Sequence, residues 1–80
     1  MSRPIKRSFT LRGHRTSISI EAPFWDALRQ IAADEGVALA ALINRIDGAR
    51  TMDAGLSSAV RVYILQYYRD KAAQIDSNNS

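Results

Sequence analysis

The chain has 80 residues and a formal net charge of +3, from 11 basic and 8 acidic side chains. A chain of this length forms one small domain with a thin hydrophobic core. It contains no cysteine, which excludes disulfide bonds and thiolate-bound zinc, and we expect a cytoplasmic protein. The apolar run at residues 62–68 is too short to span a bilayer, and the basic N-terminus lacks the apolar segment of a signal peptide.

The positive charge is concentrated at the N-terminus. Residues 1–20 hold five basic and no acidic side chains, whereas residues 21–80 hold six basic and eight acidic ones. We predict a basic arm over residues 1–13, a feature typical of proteins that bind nucleic acid. A solubilising tail is the alternative interpretation of the same charges.

A short strand follows the arm. From residue 14 to 20 the side chains alternate between two faces at a period of two, which is typical of a half-buried β-strand. One face carries Thr16, Ile18 and Ile20, and the other carries Arg15, Ser17 and Ser19. A lone strand leaves backbone groups unpaired, so this strand requires a partner.

Two partners are compatible with the sequence. Residues 8–11 also alternate, and a type II′ turn at Gly13 and His14 would fold them back as a hairpin. That register sets Arg12 opposite Arg15, which is unfavourable. The other partner is the same strand of a second chain, antiparallel across a two-fold axis. We favour this second solution and predict a homodimer with an intermolecular ribbon.

The rest of the chain is predicted to be helical. Pro23 suits the first turn of a helix, and Gly36 is placed to end it in the left-handed conformation. The spacing of apolar residues predicts helices over residues 23–35, 38–48 and 56–72. The predicted domain therefore spans residues 14–72, followed by a polar tail over 73–80. Its dimer core is predicted to contain Ile18, Ile20, Trp25, Leu28, Leu42 and Ile46.

No constellation of catalytic or metal-binding residues is recognisable. His14 is the single histidine, and no carboxylate cluster accompanies it. Tyr63, Tyr67 and Tyr68 share helical spacing, which favours packing over a ligand-binding cluster. We therefore expect no enzyme activity, no metal and no cofactor.

Three segments carry a resemblance to a known family. They read "GHRTSISIEAPFWDALRQIAADEG", "LAALINRIDGAR" and "GLSSAVRVYILQYYR". Together they resemble the Arc/MetJ-type ribbon-helix-helix proteins, and more narrowly a small bacterial subfamily with a Gly-His-Arg-Thr-Ser strand. The resemblance implies a mostly α fold with one short strand, an intertwined homodimer, and a third, C-terminal helix. It also implies that the two-stranded ribbon enters the major groove of DNA.

The resemblance assigns roles to individual residues. Outward-facing strand residues would contact bases, which here are Arg15, Ser17 and Ser19. The N-terminus of the second helix would bind phosphate through the amides of Leu39 and Ala40, although Ala38 at the cap offers no side-chain oxygen. The arm would add phosphate contacts from Lys6, Arg7 and Arg12.

Two functions are therefore considered. The first is a sequence-specific DNA-binding protein, a bacterial transcriptional regulator whose partners are double-stranded DNA and a second copy of itself. The second is a ribbon-helix-helix dimer that acts as a protein-interaction module with weak or no DNA binding. The C-terminal helix would supply a surface for a tetramer or a protein partner, and we expect no membrane association.

Overall fold

The computed structural model describes residues 3–79, with side chains up to residue 75. Two strands precede three helices in this part of the chain. Their bounds are β1 Ile5–Leu11, β2 His14–Ile20, α1 Ala22–Glu35, α2 Leu39–Ala49 and α3 Leu56–Asn79. The strands form a two-stranded antiparallel sheet, which we call the ribbon. The predicted mostly helical fold with an antiparallel ribbon and a C-terminal helix is therefore confirmed.

Both strands of the ribbon belong to one chain, whereas we had predicted strands from two. Ile5 lies opposite Ile20, and Leu11 lies opposite His14. The two-residue loop consists of Arg12 and Gly13, with φ values of 53° and 79°. Two positive φ angles in succession are typical of a type I′ turn, whose twist matches the twist of the strands it joins.

The turn of the hairpin lies one residue earlier than the Gly13-His14 turn considered in the prediction. The loop at Arg12 and Gly13 sets Thr10, not Arg12, opposite Arg15, and this removes the like-charge pair. Residues 5–11, which we had assigned to the arm, are therefore strand β1. Residues 1–2 of the predicted arm and residue 80 of the predicted tail lie outside the described residues.

The core lies between the inward face of the ribbon and the three helices. Side chains at odd positions of β1 and even positions of β2 face inward. The buried core residues are Leu11, Ile18, Ile20, Leu28, Ile31, Ala32, Leu42, Ile43, Ile46, Leu56, Val60 and Ile64. Five of the residues predicted for a dimer core are thus buried within a single chain, and the sixth, Trp25, is half-buried against them.

The helix ends follow the local sequence closely. Helix α1 starts with Pro23 in its first turn and ends at Gly36, which has the predicted left-handed conformation with a φ of 68°. Helix α2 begins after Ala38 and extends one residue past Gly48 to Ala49. Helix α3 continues through the predicted tail, where Ala72 and Ala73 favour helix.

Candidate nucleic-acid interface

The outward face of the ribbon is polar and carries no acidic side chain. Side chains at even positions of β1 and odd positions of β2 point away from the core. Three cross-strand pairs make up this face, namely Lys6 with Ser19, Ser8 with Ser17, and Thr10 with Arg15. Four of the side chains are exposed, while Ser17 and Ser19 are half-buried. We call this six-residue surface the ribbon face.

All three residues predicted to contact bases lie on the ribbon face. Arg15, Ser17 and Ser19 occupy alternate positions of β2 and project to the same side. Lys6, predicted to contact phosphate, lies beside Ser19 on this face. Ser8 and Thr10 also lie on this face and were not among the predicted contacts, although their alternation with Phe9 and Leu11 is a signal that indicates it.

Arg7 lies on the opposite side of the ribbon. Its guanidinium carbon is 4.1 Å from the centre of the Trp25 ring, within the range of a cation–π contact. Phe9, two residues further along the same face, lies 6.0 Å from Trp25 between ring centres. The Arg7 Nε atom is buried without a hydrogen-bond partner. In this position Arg7 holds β1 against α1 and does not present its charge on the ribbon face.

Helix α3 covers the edge of β2 at its C-terminal end. The Ser19 N–H donates to Oγ of Ser57 at 2.9 Å, and the Ser19 carbonyl accepts from Nη2 of Arg61 at 3.1 Å. Arg61 also donates to Glu21 Oε1 at 2.8 Å. These contacts from the Arg61 guanidinium hold the pKa of Glu21 below its ordinary value. The Ser19 backbone is therefore satisfied by α3, whereas no other strand pairs with the outer edge of β1 in the part of the chain that the structure describes.

The N-terminus of α2 lies at Ala38 and Leu39, next to the amides predicted to bind phosphate. Ala38 caps the helix in an extended conformation and makes no side-chain hydrogen bond. The first main-chain bond runs from the Leu42 N–H to the Ala38 carbonyl at 3.0 Å. The amides of Leu39 and Ala40 precede that bond, so the helix itself gives them no acceptor.

Arg12 lies at the tip of the hairpin, away from the remaining predicted phosphate contacts. Its guanidinium lies against α2. The Nη2 atom is 2.5 Å from the position that a Cβ on Gly48 would occupy. The tip also brings Arg12, His14 and Arg15 close to Arg50 at the end of α2. Arg50 was not among the predicted site residues, because nothing in the local sequence pattern indicates that the end of α2 meets the hairpin.

The three tyrosines of α3 pack against one another, and Tyr63 also lines a cavity between α2 and the start of α3. The Tyr63 and Tyr67 rings lie 6.5 Å apart between centres, and Tyr67 meets Tyr68 at 5.4 Å. Asp34 accepts from the Gln30 amide at 3.0 Å and from the Lys71 ammonium at 3.3 Å, and these two hydrogen bonds lower the pKa of Asp34. Lys71 also lies over Tyr67, and its contact with Asp34 raises the pKa of Lys71. These contacts fasten α3 to α1.

Residues 3–79 contain neither a membrane-spanning helix nor a cluster of metal ligands. No helix in that range is long and apolar enough to cross a membrane. No group of histidine, aspartate and glutamate side chains in the same range is arranged to hold a metal ion.

Comparison with known proteins gives one match. The ribbon-helix-helix domain family matches residues 4–68, so the chain belongs to the ribbon-helix-helix family. Domains of this family generally bind DNA as transcription regulators, form dimers and are typically not enzymes. No curated protein and no solved structure matches the chain.

Proposed function

We propose that this protein binds double-stranded DNA by inserting the ribbon face into the major groove. The observation that carries the proposal is a polar ribbon face with two cations and no acid, on a two-stranded antiparallel ribbon. The major groove is wide enough to admit such a ribbon. Membership of a family that generally binds DNA supports the same function.

The side chains of the ribbon face suit different parts of the duplex. Arg15 is exposed and has the planar fork that binds both acceptors of a guanine edge. Ser8, Ser17 and Thr10 offer hydroxyl groups that donate or accept, and these discriminate weakly between bases. Lys6, near the open end of the ribbon, suits a phosphate as a point charge. We assign sequence preference mainly to Arg15.

We further propose that two copies bind together as a homodimer and act as a transcriptional regulator. Dimers are typical of the family. The backbone groups of Lys6, Ser8 and Thr10 point away from β2, because the antiparallel ladder directs alternate residues to opposite edges. This open edge of β1 is one surface on which a second chain would pair.

The test measures binding of labelled duplexes by fluorescence anisotropy at several salt concentrations. We expect the affinity of the unaltered protein to fall steeply with salt, because contacts to phosphates release counterions. Arg15→Ala should lose about 1–3 kcal/mol of binding free energy at the preferred site and should bind different sequences more equally. Arg29→Ala is the matched control, because Arg29 is an exposed arginine on α1. If the Arg15→Ala variant kept the full affinity of the unaltered protein for every duplex, insertion of the ribbon face would be contradicted.

A protein-interaction module remains the second candidate function. The observation that favours it is a row of exposed apolar side chains on α3, which includes Val62, Leu65 and Tyr68. Ala38 also gives the N-terminus of α2 a weaker phosphate site than a capping serine would. Under this hypothesis the same anisotropy measurement shows no salt-dependent binding to any duplex.

A further inference from the structure

A basic cleft lies at the tip of the hairpin and adjoins the ribbon face at Arg15. It has a volume of about 490 Å³ and separates the turn from the C-terminal end of α2. One water molecule occupies about 30 Å³ in the liquid, so the cleft has room for a hydrated anion. Its lining residues are Leu11, Arg12, His14, Arg15, Thr16, Asp47 and Arg50. We call it the tip cleft.

The charge of the tip cleft is positive. Three arginines contribute to its lining, against one acidic residue, Asp47. That carboxylate accepts from Nε of Arg50 at 2.8 Å, and Nη1 of Arg50 donates to the Ala54 carbonyl at 2.7 Å. The C-terminal end of a helix adds about half a negative charge. The three arginines outweigh both negative contributions.

The contact between Arg12 and α2 involves two residues, Arg12 and Gly48, that are each unfavourable for the local backbone conformation. The φ of Arg12, 53°, is left-handed, a conformation in which asparagine or glycine is more stable than arginine. Gly48 lies within helix α2, where alanine would be more stable. A Cβ on Gly48 would meet Nη2 of Arg12 at 2.5 Å, so the missing side chain makes room for the guanidinium. Because two locally unfavourable residues contact each other here, we infer that the contact has a function.

We propose that the tip cleft binds a phosphate oxyanion, which in the DNA complex is a backbone phosphate beside the ribbon face. This proposal rests on the proposed function for the identity of the phosphate. Arg15 borders both the tip cleft and a shallow depression next to Ser8 and Thr10 on the ribbon. An anion in the tip cleft therefore lies next to the residues assigned to the bases. Guanidinium groups are the donors best suited to a phosphate, since they bind its oxygens in pairs.

Two substitutions remove the proposed contact without weakening the fold. Arg12→Asn creates an Asn-Gly turn, the pair that type I′ hairpins prefer. Gly48→Ala improves the helix and displaces the end of the Arg12 side chain. Both variants should keep or raise the melting temperature while they lose anion binding. Arg29→Gln removes one exposed charge from α1 and serves as the control for net charge.

Each protein is titrated with a short duplex at several salt concentrations and, separately, with inorganic phosphate followed by amide NMR shifts. For Arg12→Asn we expect a slope of log affinity against log salt that is shallower by about one. Gly48→Ala should change the slope in the same direction, and Arg29→Gln should change it least. Phosphate should shift the amides of Gly13 and Gly48 in the unaltered protein but not in the Arg12→Asn variant.

The outcomes separate this proposal from the proposed function. If the unaltered protein binds the duplex and neither variant changes the slope, the tip cleft is not a phosphate site, whereas the DNA-binding function stands. If phosphate shifts the tip-cleft amides and no duplex binds, the oxyanion site stands for free phosphate groups and the DNA-binding function is overturned. Absence of both effects overturns both proposals.

Discussion

The inward face of the ribbon places Leu11, Ile18 and Ile20 in the core, whereas the outward face presents Lys6 and Arg15 to solvent. The two faces share one backbone and one set of cross-strand hydrogen bonds. Neighbouring residues in the sequence therefore have unrelated tasks, because each step along a strand changes the side of the sheet. The hairpin as a whole therefore supplies stability on one side and a binding surface on the other.

Two basic residues of β1 make the same point within a single strand. Lys6 is exposed on the ribbon face, whereas Arg7 stacks on Trp25 with a buried Nε. Both add one positive charge to the N-terminal region. Lys6 and Arg7 therefore contribute equally to the net charge. Their positions on the strand determine that Lys6, and not Arg7, presents its charge on the ribbon face.

The largest expected effect is on the inward face. Ile18→Ala removes a fully buried side chain from the core and should lower the free energy of unfolding by about 2–4 kcal/mol. Ser17→Ala, one residue earlier and half-buried on the other face, should change it by less than about 0.5 kcal/mol. Urea denaturation followed by circular dichroism gives both values. Equal losses in the two variants would contradict the division between the faces.

The turn that keeps the two faces in register should be the next most sensitive point. Gly13→Ala forces a side chain into a left-handed conformation and should lower the free energy of unfolding by about 1 kcal/mol. Gly55→Ala is the matched control, because a Cβ there meets no atom within 4 Å and its φ is not in the positive range. A Gly13→Ala variant as stable as its control would mean that the turn does not have this conformation.

Substitution of Arg7 and of Lys6 should have different effects, because the two side chains lie on opposite faces of β1. Arg7→Met loses a cation–π contact of about 0.5–1 kcal/mol but also removes a buried nitrogen without a partner, so stability should change by less than about 1 kcal/mol. Lys6→Met should weaken binding to all duplexes alike and make its salt dependence shallower. Arg7→Met should have the smaller effect on binding. The reverse order would show that Arg7 leaves Trp25 to reach the DNA.

The smallest expected effect concerns the edge of β2 and depends on pH. The Arg61 guanidinium lowers the pKa of Glu21 in the folded protein, so the pair stabilises the fold above the ordinary carboxyl pKa. This contribution is lost as the pH falls through the lowered pKa, because the carboxyl group is then protonated in the folded protein also. Glu21→Gln should therefore melt slightly below the unaltered protein at neutral pH and together with it in acid. If the difference in melting temperature between the two proteins grew as the pH fell, the ion pair would not stabilise the fold in the way described.

The sequence was sufficient for features that depend on neighbouring residues. Pro23 and Gly36 mark the ends of α1, and the alternation from Thr16 to Ile20 distinguishes the two faces of β2. Ala38 was correctly placed at the start of α2 without a side-chain cap. Each of these features follows from a backbone preference or a periodicity that a short window of sequence contains.

The partner of β2 could not be predicted in the same way. Pairing with β1 and pairing with a second chain satisfy the same backbone groups of β2, so its own pattern does not distinguish them. The choice depends on the turn, and a turn at Gly13 and His14 wrongly counted a repulsion between Arg12 and Arg15 against the hairpin. The position of Arg50 beside the hairpin tip depends on how α2 packs, which no local pattern contains.

Because one chain forms the whole ribbon, formation of the ribbon does not depend on protein concentration. The pairing of β1 with β2 is unimolecular, so the fraction of chains that carry a complete ribbon face does not depend on how many copies are present. A ribbon built from two chains would instead come apart on dilution. In this protein a second copy would add a second reading surface at a fixed distance from the first, and self-association would set the spacing of the two sites on the duplex.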